Sequence, residues 1–353
     1  MKDYYDDRNL SCIRRTEAIL EQLPYYVKNF FVGVEPRTSS LTRLNYAYDL
    51  RVFYFFLTKK VFRDKSVYDI TLSDLAKLDS TDFEYYLSYL SRYEINGKIE
   101  HCTETGKARK LSTLRAFYKY FYNKNMLPGN TPSKVAMPKI HDKEIIRLET
   151  NDKVDEIGDM LYVVKKGAGL TKKQKSFHNA TMLRDTAIVT LFLGTGIRIS
   201  ELVGLNIEDF DFKTNSFIVT RKGGNRAVLY YNDEVLEALT DYYNQRISDK
   251  KVPSGEQAFF LSLQYKRIST RTVQELVKKY ARIISPLKNI TPHKLRSTFG
   301  TNLYRQTGDI YVVADCLGHK DVNTTKKHYA AITEDIRKKA GLSLNISPNN
   351  EGK

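Results

Sequence analysis

Three short stretches in the second half of the chain place cationic side chains beside turn residues. In the first, Gly194-Thr-Gly-Ile-Arg-Ile-Ser-Glu-Leu, the glycines end a strongly apolar segment and Arg198 opens the next helix. Glu201 follows three residues later, within reach on the same helix. The pattern predicts an arginine that is anchored and aimed, although an Arg–Glu pair that only holds the turn together has the same spacing.

The second stretch, Thr-Pro-His-Lys-Leu-Arg from position 291, predicts the start of a helix. Thr291 can cap it and Pro292 suits its first turn. His293 and Arg296 then lie three residues apart on one face. An imidazole donor beside a planar guanidinium suits the non-bridging oxygens of a phosphate. Such a pair is common in helices, so taken alone it favours a purely structural role.

The third stretch, Leu-Gly-His-Lys-Asp-Val from position 317, combines a helix stop with a histidine. His319 follows the glycine, and Asn323 and Thr324 can cap a further short helix that leads to Tyr329, ten residues after His319. The chain contains 25 tyrosines, so Tyr329 stands out by its position rather than by its type.

A β-hairpin is predicted between the first and second stretches. Residues 216–220 and 227–231 alternate as strands, and Lys222-Gly-Gly-Asn-Arg between them is typical of a turn. Lys222 is therefore expected at the tip of this hairpin.

The surrounding sequence predicts a mainly α-helical protein with one small β-sheet, an α+β fold. Apolar spacing predicts a small helical bundle in the first third, with helices from position 41, over 81–93 and over 106–122. Residues 14–31 are also partly helical. The rest of the chain predicts helices at 151–166, 180–193, 198–205, 233–247, 270–284, 293–306, 309–317 and 322–328.

The net charge of +16 favours a polyanionic partner. Residues 101–140 hold 8 basic and 1 acidic side chains, and a solvated helix face would be more mixed in sign. A proline-containing segment from about 131 to 150 reads as an interdomain linker and continues the basic run. The candidates for contacts with a phosphate backbone are Lys107, Arg109, Lys110, Arg115, Lys119, Lys134 and Lys139. A basic cluster at Lys172, Lys173 and Lys175 fits either phosphate contacts or a flexible loop.

Several classes of protein are disfavoured. No apolar run approaches the roughly 20 residues of a membrane span, and the acidic, tyrosine-rich N-terminus does not resemble a secretory signal. The three cysteines are far apart, which suggests neither a disulfide framework nor a zinc site and favours a reducing cytoplasm.

In order and spacing, these stretches resemble the tyrosine recombinases, the family of phage integrases, Cre and the Xer recombinases. The pattern is G-x-R-x-x-E-L, a hairpin lysine, H-x-L-R, L-G-H and a tyrosine about ten residues on, and it spans about residues 150–332. Two details depart from it: Ser297 stands where the family often has histidine, and the hairpin turn has an extra glycine. The resemblance implies a catalytic set of Arg198, Lys222, His293, Arg296, His319 and Tyr329.

The resemblance also implies a reaction. Tyr329 attacks a DNA phosphate and forms a 3′-phosphotyrosyl bond, and the two arginines and the histidines stabilise the charge. Lys222 protonates the 5′-oxygen, so that no metal or other cofactor is needed. The implied partners are double-stranded DNA carrying a specific site and three further copies of the chain in a homo-tetramer. A second recombinase or an accessory protein is possible, no membrane is involved, and the implied location is the bacterial cytoplasm at the nucleoid.

The resemblance implies a domain plan of an N-terminal extension (1–35), a helical, SAM-like core-binding domain (36–132), a linker (133–150), a catalytic domain (151–332) and a C-terminal tail (333–353). The two domains would close around DNA as a clamp. Within the tail, residues 333–344 predict an amphipathic helix that docks on a neighbouring protomer or packs on its own domain.

Several functions remain open at the level of sequence. Resolution of chromosome dimers by a Xer-like enzyme competes with integration or excision of a mobile element. The roughly 40 residues before position 41 leave little room for a separate arm-binding domain, which favours the Xer/Cre architecture, whereas the extra length over a minimal Xer protein favours a mobile element. A type IB topoisomerase and a catalytically silent DNA-binding protein of the same fold are the alternatives from other classes.

Overall fold

The computed structural model describes residues 4–95, 97–140, 146–151, 154–221, 224–319 and 322. Over these residues the protein is mainly helical with small antiparallel sheets, which confirms the predicted fold class. The chain divides into two units, Met1–Lys143 and Glu144–Lys353, and the division falls inside the predicted linker. None of the helices in the described ranges combines the length and the apolar character that a membrane span requires.

The first unit is a bundle of helices with one short hairpin. Four of its helices begin where a Ser, Thr or Asp side chain accepts a hydrogen bond from a backbone N–H of the first turn. Its elements are α1 (Tyr4–Leu20), α2 (Val27–Val34), α3 (Ser40–Phe56), α4 (Leu72–Ala76), α5 (Ser80–Tyr89), β1 (Tyr93–Ile95), β2 (Lys98–Glu100) and α6 (Glu104–Tyr122).

The core of the first unit is rich in aromatic rings and includes α1 and α2. Phe30 of α2 packs edge-on against Phe117 of α6, and Ile19 and Leu20 of α1 are buried in the same cluster. Residues 4–34, which lie within the predicted N-terminal extension (1–35), therefore pack into the core of the first unit. The sequence signal was weak because α1 buries only four residues, Cys12, Thr16, Ile19 and Leu20.

A buried acidic residue joins α3 to α6. Asp49 of α3 is 1% exposed. Its carboxylate accepts hydrogen bonds from Lys110 Nζ at 2.8 Å, Arg109 Nη1 at 2.6 Å and Thr113 Oγ1 at 2.9 Å. Lys110 itself is 5% exposed, so its prediction as a DNA contact is wrong. Helical periodicity in α6 alone could not reveal an acid buried on a neighbouring helix.

The second unit is built around one long helix and a three-stranded sheet. Its elements are β3 (Thr150–Asn151), β4 (Val154–Asp155), α7 (Glu156–Lys166), α8 (Lys172–Thr195), α9 (Ile199–Leu202), β5 (Phe210–Asp211), β6 (Ser216–Thr220), β7 (Arg226–Tyr230), α10 (Asp233–Ser248), α11 (Thr270–Ile284), α12 (Pro292–Thr307) and α13 (Ile310–Leu317). The sheet order is β5-β6-β7, all antiparallel, with Thr220 opposite Arg226 at the hairpin end. Helix α8 packs against α7, α10 and α12 and forms the centre of this unit.

Two predicted helices differ at their starts. Helix α8 begins at Lys172 rather than at position 180, because Thr171 and Gln174 form a capping box. Lys172, Lys173 and Lys175 therefore lie in its first turns and not in a loop. The helix predicted over 151–166 begins only at Glu156, after the short β3–β4 pairing.

Buried contacts fasten the start of the second unit. The backbone N–H of Leu148 donates to Thr298 Oγ1 of α12 at 3.0 Å. Glu156 accepts hydrogen bonds from Lys288, Ser285 and the N–H of Glu149. Burial opposes ionisation of Glu156, but these hydrogen bonds outweigh it and hold the pKa of the carboxyl below its usual value.

The Asp49 network should dominate the stability of the first unit. Asp49→Asn keeps the shape of the side chain but leaves the Lys110 ammonium buried without its counter-charge, which costs about 3–5 kcal/mol. We expect urea unfolding of the full chain to show that loss in the transition of the first unit. Glu104→Gln breaks the more exposed Glu104–Lys107 pair at 2.8 Å and serves as control, with an expected loss below about 1 kcal/mol. Equal losses in the two variants would contradict this account.

Candidate active site

The turn between α8 and α9 positions Arg198. Gly196 ends α8 in the left-handed region at φ 61°, and Arg198 is the residue before the first turn of α9. Glu201, whose side chain is 4% exposed, accepts from the backbone N–H of Arg198 at 3.0 Å and from its Nη1 at 2.8 Å. The Arg198–Glu201 pair therefore stabilises the turn and also orients the guanidinium of Arg198, whose side chain remains 31% exposed.

Helix α12 carries the His293-x-x-Arg296 pair. Pro292 occupies the first turn of the helix, as predicted. His293 lies exposed at the start of α12, whereas Arg296 is 5% exposed. The guanidinium of Arg296 donates to the carbonyl oxygens of Gly196 and Leu317. His293 and Arg296 lie on the same face of α12, but only Arg296, one turn further along the helix, is buried.

The C-terminal end of α13 collects the arginines of the site. Gly318 ends this helix at φ 60°, and the N–H of His319 returns to the carbonyl of Ala314 at 2.9 Å. The four carbonyls of residues 315–318 all accept from guanidinium groups: Asp315 and Cys316 from Arg221, Leu317 from Arg296 and Gly318 from Arg198. We call this arrangement the three-arginine cap.

Electrostatics explains why the cations gather there. The last carbonyls of a helix have no partner within the helix and carry a partial negative charge. Guanidinium groups satisfy these carbonyls and complement that charge at the same time. The cap consequently brings α9, α12 and the β6–β7 hairpin to one point, next to His319.

Arg221 is a member of the cap that the sequence analysis did not identify as functional. It directly follows β6, and its Nη1 donates to Asp315 O and its Nη2 to Cys316 O, both at 3.3 Å. No local pattern could have found this contact, since 94 residues separate Arg221 from Asp315.

The pKa of the Cys316 thiol beside the cap lies above its usual value. Burial raises the pKa of Cys316, and the charge of Asp315 raises it further, against a smaller opposing effect of Arg221. The thiolate is the nucleophilic form of cysteine, so this shift disfavours Cys316 as a nucleophile. Among the residues that the structure describes, no group of three His, Cys, Asp or Glu side chains could hold a metal ion.

The structure covers four of the six predicted catalytic residues and brings their segments together. Arg198, Arg296 and His319 lie at the three-arginine cap or next to it, and His293 lies at the start of the same helix as Arg296. Lys222 and Tyr329 lie outside the described residues, and so do the helices predicted over 322–328 and 333–344, except for residue 322.

The predicted DNA-contacting residues of the first unit lie in several environments. Lys119, Lys134 and Lys139 are exposed. Lys107 pairs with Glu104, and Arg109 is 48% exposed although it binds Asp49.

Arg115 has a structural task in the first unit. Its guanidinium donates to the carbonyls of Pro132 at 3.1 Å and Val135 at 2.6 Å, which holds the chain after α6 against that helix. These hydrogen bonds give Arg115 a structural role that does not depend on DNA.

The chain is similar to known proteins over most of its length. The phage integrase family matches residues 144–335, and the N-terminal SAM-like domain of phage integrases matches residues 30–125. The tyrosine recombinase XerC of Caldanaerobacter subterraneus subsp. tengcongensis is 31% identical over 309 residues, which are 84% of this chain and 80% of that protein. The tyrosine recombinase XerS of Streptococcus sanguinis is 29% identical over 350 residues, 93% of this chain and 97% of that protein.

Solved structures share the fold. The XerH site-specific recombinase, in a post-cleavage complex with palindromic difH substrate, matches with a TM-score of 0.62 at 17% identity over 86% of this chain and 80% of that chain. The Tn1549 transposon integrase in complex with circular intermediate DNA matches with a TM-score of 0.60 at 19% identity. The match covers 90% of this chain and 99% of that chain. The chain belongs to the phage integrase family, and it is an enzyme of the tyrosine recombinase class.

Gly196 should tolerate no side chain, because a Cβ there would lie 2.4 Å from Phe299 Cδ1 and 2.9 Å from Leu317 Cδ2. We expect Gly196→Ala to lower the free energy of unfolding of the second unit by about 1 kcal/mol for its backbone conformation and by about a further 1–3 kcal/mol for overpacking. Denaturant unfolding of the full chain measures the loss.

Gly308→Ala is the matched control for this prediction. Gly308 also ends a helix in the left-handed region, at φ 66°, but a Cβ there would meet no atom within 4 Å. The Gly308→Ala variant should therefore lose only the free energy of unfolding that comes from the backbone conformation, about 1 kcal/mol. If Gly308→Ala destabilises as much as Gly196→Ala, packing against Phe299 and Leu317 is not the reason for the glycine.

Proposed function

We propose that the protein is a site-specific DNA recombinase that cuts and rejoins strands through a 3′-phosphotyrosyl intermediate and a Holliday junction. Tyr329 forms the bond to phosphorus while the bond from phosphorus to the 5′-oxygen breaks. The leaving 5′-oxygen takes a proton from Lys222, and the tyrosine proton passes to His293. A 5′-hydroxyl of the partner strand later reverses the step, so the energy of the ester is kept and no ATP is needed.

The three-arginine cap is the observation that carries this proposal. In phosphoryl transfer, charge develops on the non-bridging oxygens, and donors that are already fixed stabilise it without reorganisation. Arg198 and Arg296 are held in place by carbonyls of the same helix end, and Glu201 additionally orients Arg198. A guanidinium has five N–H donors, so Arg198 can keep its hydrogen bonds to Glu201 and Gly318 and still bind a phosphate. His319 follows directly in the chain and supplies a further donor.

Duplex DNA is the proposed substrate. The first unit would contribute phosphate contacts from Lys107, Arg109, Lys119, Lys134 and Lys139, while the second unit would hold the scissile phosphate. Contacts of this kind position DNA without reading its sequence and weaken steeply as salt rises. The XerH structure holds its difH substrate and the Tn1549 integrase structure holds circular intermediate DNA, which supports the same substrate class for this chain.

We further propose a homo-tetramer on two recombination sites, with the segment after Thr333 docking on the neighbouring protomer. The biological role of the recombinase is either Xer-like resolution or the integration and excision of a mobile element. The XerC and XerS relatives favour the first role.

Tyr329→Phe tests the nucleophile. The variant lacks the hydroxyl that forms the ester, so it should bind DNA like the parent chain and form no covalent adduct. A nicked suicide substrate, which traps the adduct because the 5′-hydroxyl diffuses away, gives the readout on a denaturing gel. An adduct that persists in Tyr329→Phe at the parental level means that another side chain attacks.

Lys222→Ala tests the general acid. A substrate with a 5′-bridging phosphorothiolate has a leaving group that needs no proton. The variant should lose on the order of 10²–10⁴-fold in cleavage rate on normal DNA and recover most of it on the thiolate. Lys213→Ala, which removes an exposed lysine from the β5–β6 turn, controls for lost positive charge. Equal losses on both substrates would assign Lys222 to charge stabilisation instead.

A further inference from the structure

We propose that Arg221 is a positioning residue for the reaction: it fastens the β6–β7 turn, and with it Lys222, to the end of α13 that carries His319. The inference rests on the proposed function, because it concerns the general acid named there. Arg198 and Arg296 already have roles as charge-stabilising groups, whereas nothing in that mechanism uses the third guanidinium of the cap.

The backbone of Arg221 is fixed at the base of the turn. Its N–H donates to the carbonyl of Asn225 at 2.8 Å, and its carbonyl accepts from the N–H of Gly224 at 3.0 Å. The preceding residue, Thr220, is in register with Arg226 in the β6–β7 ladder. These hydrogen bonds therefore fix the backbone of Arg221, the residue that precedes Lys222 in the chain.

The side chain of Arg221 spans from this turn to α13. It donates to the carbonyls of Asp315 and Cys316, and it lies directly over Gly318. A Cβ on Gly318 would lie 2.0 Å from Nη1 of Arg221. Glycine at position 318 thus does two things: it adopts φ 60° to end the helix and leaves room for the guanidinium.

Arginine suits this task better than lysine. Its rigid, planar fork can donate to two neighbouring carbonyls at once, whereas an ammonium is a point charge on a flexible stem. The contact joins two segments that the sequence separates by 94 residues, and each of these segments precedes a proposed catalytic residue, Lys222 or His319. A general acid must lie within hydrogen-bond reach of the atom that it protonates, so a tether on the adjacent residue affects the rate through geometry.

The test compares Arg221→Ala on normal DNA and on the 5′-bridging phosphorothiolate. If Arg221 acts through Lys222, covalent adduct formation should fall on the order of tenfold on normal DNA and less than about twofold on the thiolate, where no proton is needed. Arg221→Lys, which keeps the charge but not the fork, should fall between Arg221→Ala and the parent chain on normal DNA. An equal fall of Arg221→Ala on both substrates, or no fall on normal DNA, would overturn the inference.

Two controls separate this inference from its alternatives. Arg226→Ala removes another arginine from the same hairpin, one whose side chain is 66% exposed and 3.7 Å from Asp209. It should leave both rates near the parental values, and a substrate-selective loss equal to that of Arg221→Ala would show that hairpin charge alone is responsible. Lys222→Ala is run beside it: if that variant is rescued by the thiolate and Arg221→Ala is not, only the positioning inference fails. If Lys222→Ala itself is not rescued, the general-acid role fails and the inference falls with it.

Discussion

The candidate active site depends on the last carbonyls at the end of one short helix. Helix α13 has eight residues, and its last carbonyls face a point where three other segments of the second unit converge. Because those carbonyls accept hydrogen bonds and carry partial negative charge, they fix Arg198, Arg221 and Arg296, and Glu201 pairs with Arg198 in addition. Hydrogen bonds to these carbonyls hold the guanidinium groups without adding a net negative charge.

The rest of the second unit makes this convergence possible. Helix α8 is long and buried over its last turns, and it must stop where α9 begins. Gly196 provides that stop, and its carbonyl is a second acceptor for Arg296. The absence of a side chain at Gly196 lets Phe299 and Leu317 close over the turn. The glycine, the buried arginine and the helix end therefore form one packed arrangement, in which a change to any member moves the others.

The first unit follows a different constraint, a buried acid between two helices. Asp49 forms ion pairs with Lys110, which is buried, and with Arg109, which is about half exposed. Two cations of the basic run of α6 are thereby drawn into the fold, and a third, Arg115, holds the chain that follows the helix. Lys119, Lys134 and Lys139, in contrast, are exposed to solvent. A positive run in sequence thus divides into cations that stabilise the bundle and cations that can meet a polyanion.

The sequence by itself determined the class of the protein, the fold class and most of the elements. Strand β6 was predicted at its observed bounds, and α10, α11, α12 and α13 were predicted to within one residue, because periodicity, caps and glycine stops are local signals. The order of the motifs also determined the family, which the relatives confirm. Spacing along the chain was enough for these conclusions, since each depends on neighbours within a few residues.

Only the tertiary structure decided which cations serve which purpose. In sequence, Lys110 and Lys119 are equivalent members of one basic helix, yet one is buried on Asp49 and the other is exposed. Arg221 looks like an ordinary turn residue until the fold brings it to α13. The helices α1 and α2 likewise joined the first core only through contacts with distant residues. The physical reason is the same in each case: burial and hydrogen-bond partners come from residues far apart in sequence, which local patterns cannot register.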